Sequence, residues 1–267
     1  MNNIHNVQYA FLDSGIGGLP YYKHLTGLCP EAACAYIADI KNFPYGEKTL
    51  DEVIALSKET VRKIITAINP QVIIIACNTI SVSALASLRK EFSVPFVGTV
   101  PAIKPAASVS KNKKIAVLAT ERTVNDMYTQ KLIEEFGGQC NFFMRADSML
   151  VKKIEENLLT ASDTKKQNAV LPAIEFFKAV GADTAVLGCT HFLHLRDVFV
   201  KMCSPDIQIV DSLDGVVNQA LKISPFSIEY KKTSKDRFFI TAEKNQSIEN
   251  IYSIYANIFN MQLEYLH

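Results

Sequence analysis

QVIIIACNTISVSALASLRKEFSVPFVGTV, residues 71–100, decides how the rest of the chain is read. QVIIIAC (71–77) is a β-branched run with no apolar/polar alternation. That pattern marks a strand buried on both faces. SVSALASLRKEF (81–92) then has helical periodicity, and VPFVGTV (94–100) returns as a strand. A buried strand, a helix and a second strand form a βα unit, the building block of a parallel sheet.

The same alternation extends in both directions. Upstream, YAFLD (9–13) and CAYIAD (34–39) read as strands. LDEVIALSKETVRKIITAI (50–68) reads as a helix that stops at Asn69-Pro70, because proline cannot continue a helix. Downstream the pattern restarts. KKIAVLAT (113–120), CNFFMRAD (140–147), DTAVLGCT (183–190) and IQIVD (207–211) read as strands. Between them a helix is expected at 124–138, closed by Gly137-Gly138, with others near 148–158 and 163–180. The tail is expected to be helical at 213–222 and 246–262. The Pro-, Ala- and Ser-rich VPAIKPAASVSK marks a boundary near 100–112. The expected fold is therefore α/β with two parallel-sheet lobes. Residues 1–100 plus 212–267 make the first, and 101–211 make the second.

Bulk properties narrow the class. The chain has 267 residues, 48% of them apolar, and a net charge of +1. A proper core is possible, and nothing points to nucleic acid or an anionic membrane surface. VIIIAC is far short of the ~18 residues of a spanning helix. The amino terminus MNNIHNVQYAF is too polar for a secretory signal, so the expected compartment is the cytoplasm. There, the six cysteines should be reduced.

Two of them stand apart. VIIIACNT (72–79) and TAVLGCTH (184–191) each run from an apolar strand through a small residue to Cys and a polar residue. Ligands of parallel α/β sheets bind beyond the carboxyl ends of the strands. Cys77 and Cys189 would both stand there, and would face each other if the two halves did. A disulfide conflicts with the compartment. Zinc would use Cys189, His191 and His194, but the spacing is unusual for it and no C-x-x-C supports it. A Cys–His acyl-transfer pair would leave one thiol idle. Deprotonation of a carbon by one thiolate and reprotonation by the opposite thiol would use both. Asp13, Glu155 and His191 are near enough in sequence or pattern to assist, and Asn78, Thr79 and Thr190 offer donors to a carboxylate.

AFLDSGIGGLPYYKHL (10–25) carries Gly15, Gly17 and Gly18 after a strand. It is not a dinucleotide loop, since Pro20 fills the third glycine position. It reads either as a tight strand-to-helix turn or as a cradle for a small anion, and the Asp13 carboxylate at the strand tip would suit an ammonium group or a proton transfer.

FLDSGIGGL, DIKNFPYGEK, IIACNTIS, GTVPAIKPA, IAVLATERTV and VLGCTHF occur in this order. Together they resemble the glutamate racemases of the cofactor-independent aspartate/glutamate racemase superfamily. The resemblance implies two pseudo-symmetric α/β lobes with the active site in the cleft between them. It implies a homodimer that interconverts L- and D-glutamate for peptidoglycan with no cofactor and no metal. Cys77 and Cys189 correspond to the paired thiols. Asp13 and His191 correspond to their assistants, with Glu155 a third and Asp39 a further one on the Cys77 side, and the glycines after Asp13 correspond to a backbone cradle for the substrate carboxylate. Ser14, Pro44, Tyr45, Gly46, Asn78, Thr79, Thr120, Thr123 and Thr190, with Asp13 and His191, correspond to the substrate pocket. Aspartate racemases tend to carry Glu where this chain has His191, so glutamate is favoured. Phe192-Leu193 and Pro20-Tyr21 depart from the usual Tyr-Pro and Thr-Val of the family.

Overall fold

The computed structural model describes residues 7–267. The first six residues of the polar amino-terminal stretch lie outside the described residues. The chain divides into two compact units, one of Met1–Thr99 with Leu213–His267 and one of Val100–Ser212.

In the first unit the order is β1 (Tyr9–Asp13), α1 (Leu19–Leu28), β2 (Cys34–Ala38), α2 (Leu50–Ile68), β3 (Val72–Ile75), α3 (Asn78–Glu91) and β4 (Phe96–Gly98). The second unit has α4 (Ile103–Val109), β5 (Lys114–Ala119), α5 (Glu121–Asn125), α6 (Met127–Phe136), β6 (Asn141–Ala146), α7 (Ser148–Glu156), α8 (Asp163–Ala179), β7 (Thr184–Leu187), α9 (Arg196–Cys203) and β8 (Gln208–Val210). The chain then returns to the first unit with α10 (Leu213–Ile223), β9 (Arg237–Ile240), α11 (Gln246–Ile258) and β10 (Gln262–Tyr265).

The first sheet has the order β10-β9-β2-β1-β3-β4 and the second β6-β5-β7-β8. All their pairings are parallel. Every residue of β1, β2 and β3 is buried, as a strand covered on both faces requires. Helix α2 begins with a capping box between Thr49 and Glu52. It ends at Asn69, which is left-handed with φ 38°, the turn that Asn tolerates and that frees the chain before Pro70.

Four expectations needed revision. Helix α3 starts at Asn78, not near 81, so its first turn begins directly after Cys77. The helix expected at 124–138 is two helices. Asp126 breaks it by leaving helical geometry and accepting from the Tyr128 amide as the cap of α6. The helix expected at 246–262 ends at Ile258, and Gln262 already belongs to β10. Finally, the tail supplies two strands, β9 and β10, that extend the first sheet beyond β2.

Asp183, just before β7, holds the approach to β5. It accepts from Ser110 Oγ at 2.6 Å, from the Lys111 and Asn112 amides at 2.7 and 2.6 Å, and from Thr184 Oγ1 at 2.9 Å. Burial alone would raise its pKa, but these donors outweigh burial and hold the carboxyl below its usual range. A depressed carboxylate pKa stabilises the fold above the unfolded value of about 3.9 and loses that contribution as pH falls through the folded pKa. Asp183→Ala should therefore cost about 1 kcal/mol in urea unfolding at pH 7. The difference from wild type should shrink as the acid range is entered.

Candidate active site

The tips of β1 and β3 lie side by side. Leu12 pairs with Ile75, and the Ala76 amide donates to Leu12 O at 2.7 Å. Asp13 ends β1 and Cys77 follows Ala76. Asp13 is fully buried, so its carboxylate must find donors. It finds them in the loop that follows: Gly15 N donates to Oδ1 at 2.8 Å and Gly17 N at 3.1 Å. The expectation that these glycines cradle a substrate carboxylate is revised accordingly, because the carboxylate they hold is that of Asp13. Tyr36 locks the loop from β2. Its hydroxyl donates to Gly15 O at 2.8 Å and accepts from Gly18 N at 3.0 Å. A Cβ on Gly18 would stand 2.6 Å from the Ala76 Cβ, so glycine is required where the loop rests on the residue before Cys77.

Cys77 is buried and occupies the cap position of α3, in extended geometry and with no side-chain capping bond. Its thiol thus sits at a helix amino terminus, where the aligned peptide dipoles favour a thiolate. Asn78 and Thr79, both buried, form the first turn. Asn78 Nδ2 donates to Thr99 O at 3.3 Å, while Asn78 Oδ1 and Thr99 Oγ1 have no hydrogen-bond partner. A buried acceptor left so is costly, and it suits the N–H of a bound molecule.

Asp39, at the tip of β2, is also fully buried. Tyr45 donates to Oδ2 at 2.6 Å, Thr60 to Oδ2 at 2.8 Å, and Asn42 to both oxygens at 3.1 and 3.0 Å. Thr241, just beyond β9, donates to Oδ1. Pro44, Tyr45 and Gly46 form the adjoining loop. Tyr45 packs in the same apolar cluster as Cys77. Burial, followed by the charge of Asp39, pushes the Tyr45 hydroxyl far above its usual range, so it stays a proton donor. Ser14 is buried beside Asp13.

The second unit repeats the arrangement at β5 and β7. Cys189 follows β7 and caps a short 3-10 helix, Thr190–Leu195. Its backbone, φ −135° and ψ 135°, nearly matches that of Cys77 at −136° and 120°. A Cβ on Gly188 would stand 3.1 Å from Leu118 O and 3.3 Å from the Ala119 Cβ, so this tip too is pressed against its central strand. Thr120 follows β5 and caps α5. It accepts from the Thr123 amide at 3.3 Å, and the two hydroxyls are 3.0 Å apart.

The help given to Cys189 is different. Cys189 Sγ lies 3.9 Å from His191 Nδ1, and His191 Nε2 lies 2.8 Å from Glu155 Oε2. His191 and Glu155 are buried. An ionised carboxylate only accepts, which places a proton on Nε2 and leaves Nδ1 to exchange a proton with the thiol. Glu155 reaches this position because Leu150, Val151 and Ile154 bury the same face of α7, whose start Asp147 caps. It is thus drawn into the relay rather than solvated. His194 takes no part in a metal cluster: among the described residues no group of three His, Cys, Asp or Glu side chains is placed to hold a metal ion.

Reasoning from the sequence missed Thr60, Thr241, Asn42 and Tyr36. CAYIA is apolar throughout, so nothing in it marked Tyr36 as the residue that bonds the glycine loop. Thr241 carried no signal, since β9 itself went unread.

The Asp/Glu/hydantoin racemase family model matches residues 22–220. The chain belongs to that family. A glutamate racemase of Treponema pallidum is 40% identical over 255 residues, 96% of this chain and 94% of that one. One from Pasteurella multocida is 35% identical over 247 residues, 90% of each. The solved structure of Escherichia coli glutamate racemase, in complex with L-glutamate and the activator UDP-MurNAc-Ala, aligns with a TM-score of 0.85 at 29% identity. That alignment covers 97% of this chain and 98% of the other. Glutamate racemase from Aquifex pyrophilus aligns with a TM-score of 0.72 at 27% identity, over 97% and 98% of the two chains.

The relay predicts a coupling. Glu155→Gln removes the carboxylate that holds the His191 Nε2 proton, and with it the alignment of Nδ1 toward the Cys189 thiol. Iodoacetamide alkylation of Cys189 at neutral pH, followed by peptide mass spectrometry, should slow roughly tenfold. Alkylation of Cys77 should not change.

Proposed function

We propose that this protein is a cofactor-independent glutamate racemase, interconverting L- and D-glutamate and supplying D-glutamate for peptidoglycan. One observation carries the reading. The two α/β units place a cysteine at the same structural position, capping the turn that follows the strand after the central one. The family membership and the glutamate racemases it resembles agree with it.

In the proposed reaction a thiolate takes the Cα proton, and the electron pair passes into the substrate carboxylate as an enolate-like anion. The other thiol delivers its proton to the opposite face of Cα. The configuration inverts, and thiol and thiolate have exchanged identities. Each sulfur must therefore be base in one direction and acid in the other. Asp13 serves Cys77, and His191 with Glu155 serves Cys189. Asn78 Oδ1 is suited to accept from the substrate ammonium. The amides and hydroxyls of Thr79, Thr120, Thr123 and Thr190 suit its carboxylates, with Ser14 and the Pro44–Tyr45–Gly46 loop completing the pocket. In this reading residues 1–100 plus 212–267 form the Asp13 and Cys77 lobe and residues 101–211 the Cys189 and His191 lobe. The enzyme works as a homodimer in the cytoplasm. Among the described residues no helix is long and apolar enough to cross a membrane.

The purified protein, incubated with L-glutamate in D₂O without added cofactor, should lose the α-proton signal by NMR and yield D-glutamate on a chiral column. Cys77→Ala and Cys189→Ala should each abolish racemisation. Exchange with aspartate but not glutamate would transfer the reading to another substrate. A trapped acyl-enzyme on Cys189 would replace it with a Cys–His hydrolase.

A further inference from the structure

We propose that Asp39 is an anchor rather than a proton carrier, and that Thr60 and Thr241 act through it as positioning residues for the Tyr45 loop. The kinetic part of this inference rests on the glutamate reading above.

The carboxylate of Asp39 is surrounded. Oδ2 accepts from Tyr45, Thr60 and Asn42, and Oδ1 accepts from Asn42 and Thr241. Three of these donors are neutral hydroxyls and one is an amide, so none supplies or removes a charge. A group meant to shuttle protons needs an open side toward the reacting atoms, and here both oxygens are taken. What the carboxylate does is collect elements. Thr60 comes from α2, Tyr45 and Asn42 from the loop after β2, and Thr241 from the residue just after β9, the strand that the carboxy-terminal segment returns to the sheet. The backbone adds to this, since Asp39 N donates to Asp13 O at 2.8 Å.

Thr241 is the least expected member. Its own amide donates to Ala38 O at 3.1 Å, and its hydroxyl accepts from Lys41 N at 3.3 Å while donating to Asp39. One side chain thus clamps the turn that leads into Pro44–Tyr45–Gly46. Tyr45, held through Asp39, packs in the same apolar cluster as Cys77. The carboxy-terminal segment therefore reaches the turn before the pocket loop through the Thr241 hydroxyl. That gives the returning segment a role in substrate binding that its distance in sequence does not suggest.

The test uses the full-length protein and two readouts. The first needs no substrate. Hydrogen–deuterium exchange by mass spectrometry would follow the amides of residues 42–48, several of which are bonded within the loop (Asn42, Phe43, Glu47, Lys48). Thr241→Val should accelerate exchange there and leave β1 and β3 protected. The second readout is kinetic. Thr241→Val should raise KM for glutamate about five- to tenfold with kcat near wild type. Thr241→Ser should restore both. Thr60→Val, which acts on the other oxygen, should reproduce the pattern, and the double variant should fall short of the product of the two single effects. Unchanged exchange at 42–48 would overturn the anchor. So would a fall in kcat with KM unmoved, which would return Asp39 to proton transfer. A wild-type chain inactive on glutamate would overturn the substrate reading alone, and the exchange experiment would still decide the anchor.

Discussion

A fully buried carboxylate dictates much of the first unit. Asp13 has no exposure, and a charged group in that position is tolerated only when it is hydrogen-bonded. The Gly15 and Gly17 amides meet the need, which forces the chain to wrap back over the strand tip. Once wrapped, the loop is pinned by Tyr36 and pressed against Ala76. Ala76 is the residue that delivers Cys77 to the start of α3. The loop that resembles a phosphate cradle is thus turned inward. It fixes an acid beside a thiol and leaves no amides of Gly15 or Gly17 for an anion.

The strand order explains why these groups gather. In both sheets the central strand lies between the two that follow it in sequence, β1 between β2 and β3, and β5 between β6 and β7. The connections from the central strand therefore diverge at its carboxyl end and leave a crevice there, the usual ligand position in doubly wound sheets. Across the first sheet the tips run Thr241, Asp39, Asp13, Cys77 and Thr99. Polar residues that are scattered over 229 positions of sequence become neighbours along one edge.

That geometry also explains what could be read in advance. The buried β-branched strands, the cysteines at their tips and the capped helices are local patterns, and local patterns survive in sequence. Cys77, Cys189, Asp13 and His191 could be named because each sits within two residues of a recognisable strand end. Glu155 was harder. It is one of two adjacent acids on an amphipathic helix, and only the packing of Leu150, Val151 and Ile154 decides which of them turns inward. The strands β9 and β10 were hidden by their length. RFFI and QLEY are four residues each, and the second directly follows a helical pattern that reads smoothly through it. Thr241 was beyond reach for that reason, since its role depends on a pairing of residues some two hundred positions apart.

The two cysteines share a backbone setting but not an entourage. On the first unit the nearby acids, Asp13 and Asp39, are saturated by amides and hydroxyls that hold geometry firmly. On the second, the thiol faces an imidazole whose far nitrogen is bound to a carboxylate. The proposed racemisation, which would exchange thiol for thiolate in every turnover, has no need of identical partners. It needs each sulfur to be reachable in both protonation states. One sulfur stands at a helix amino terminus that follows the strand next to Asp13, and the other at a short helical turn next to the His191–Glu155 pair. The repeated βα pattern therefore gives the two sulfurs matched backbone positions, while the residues around them differ.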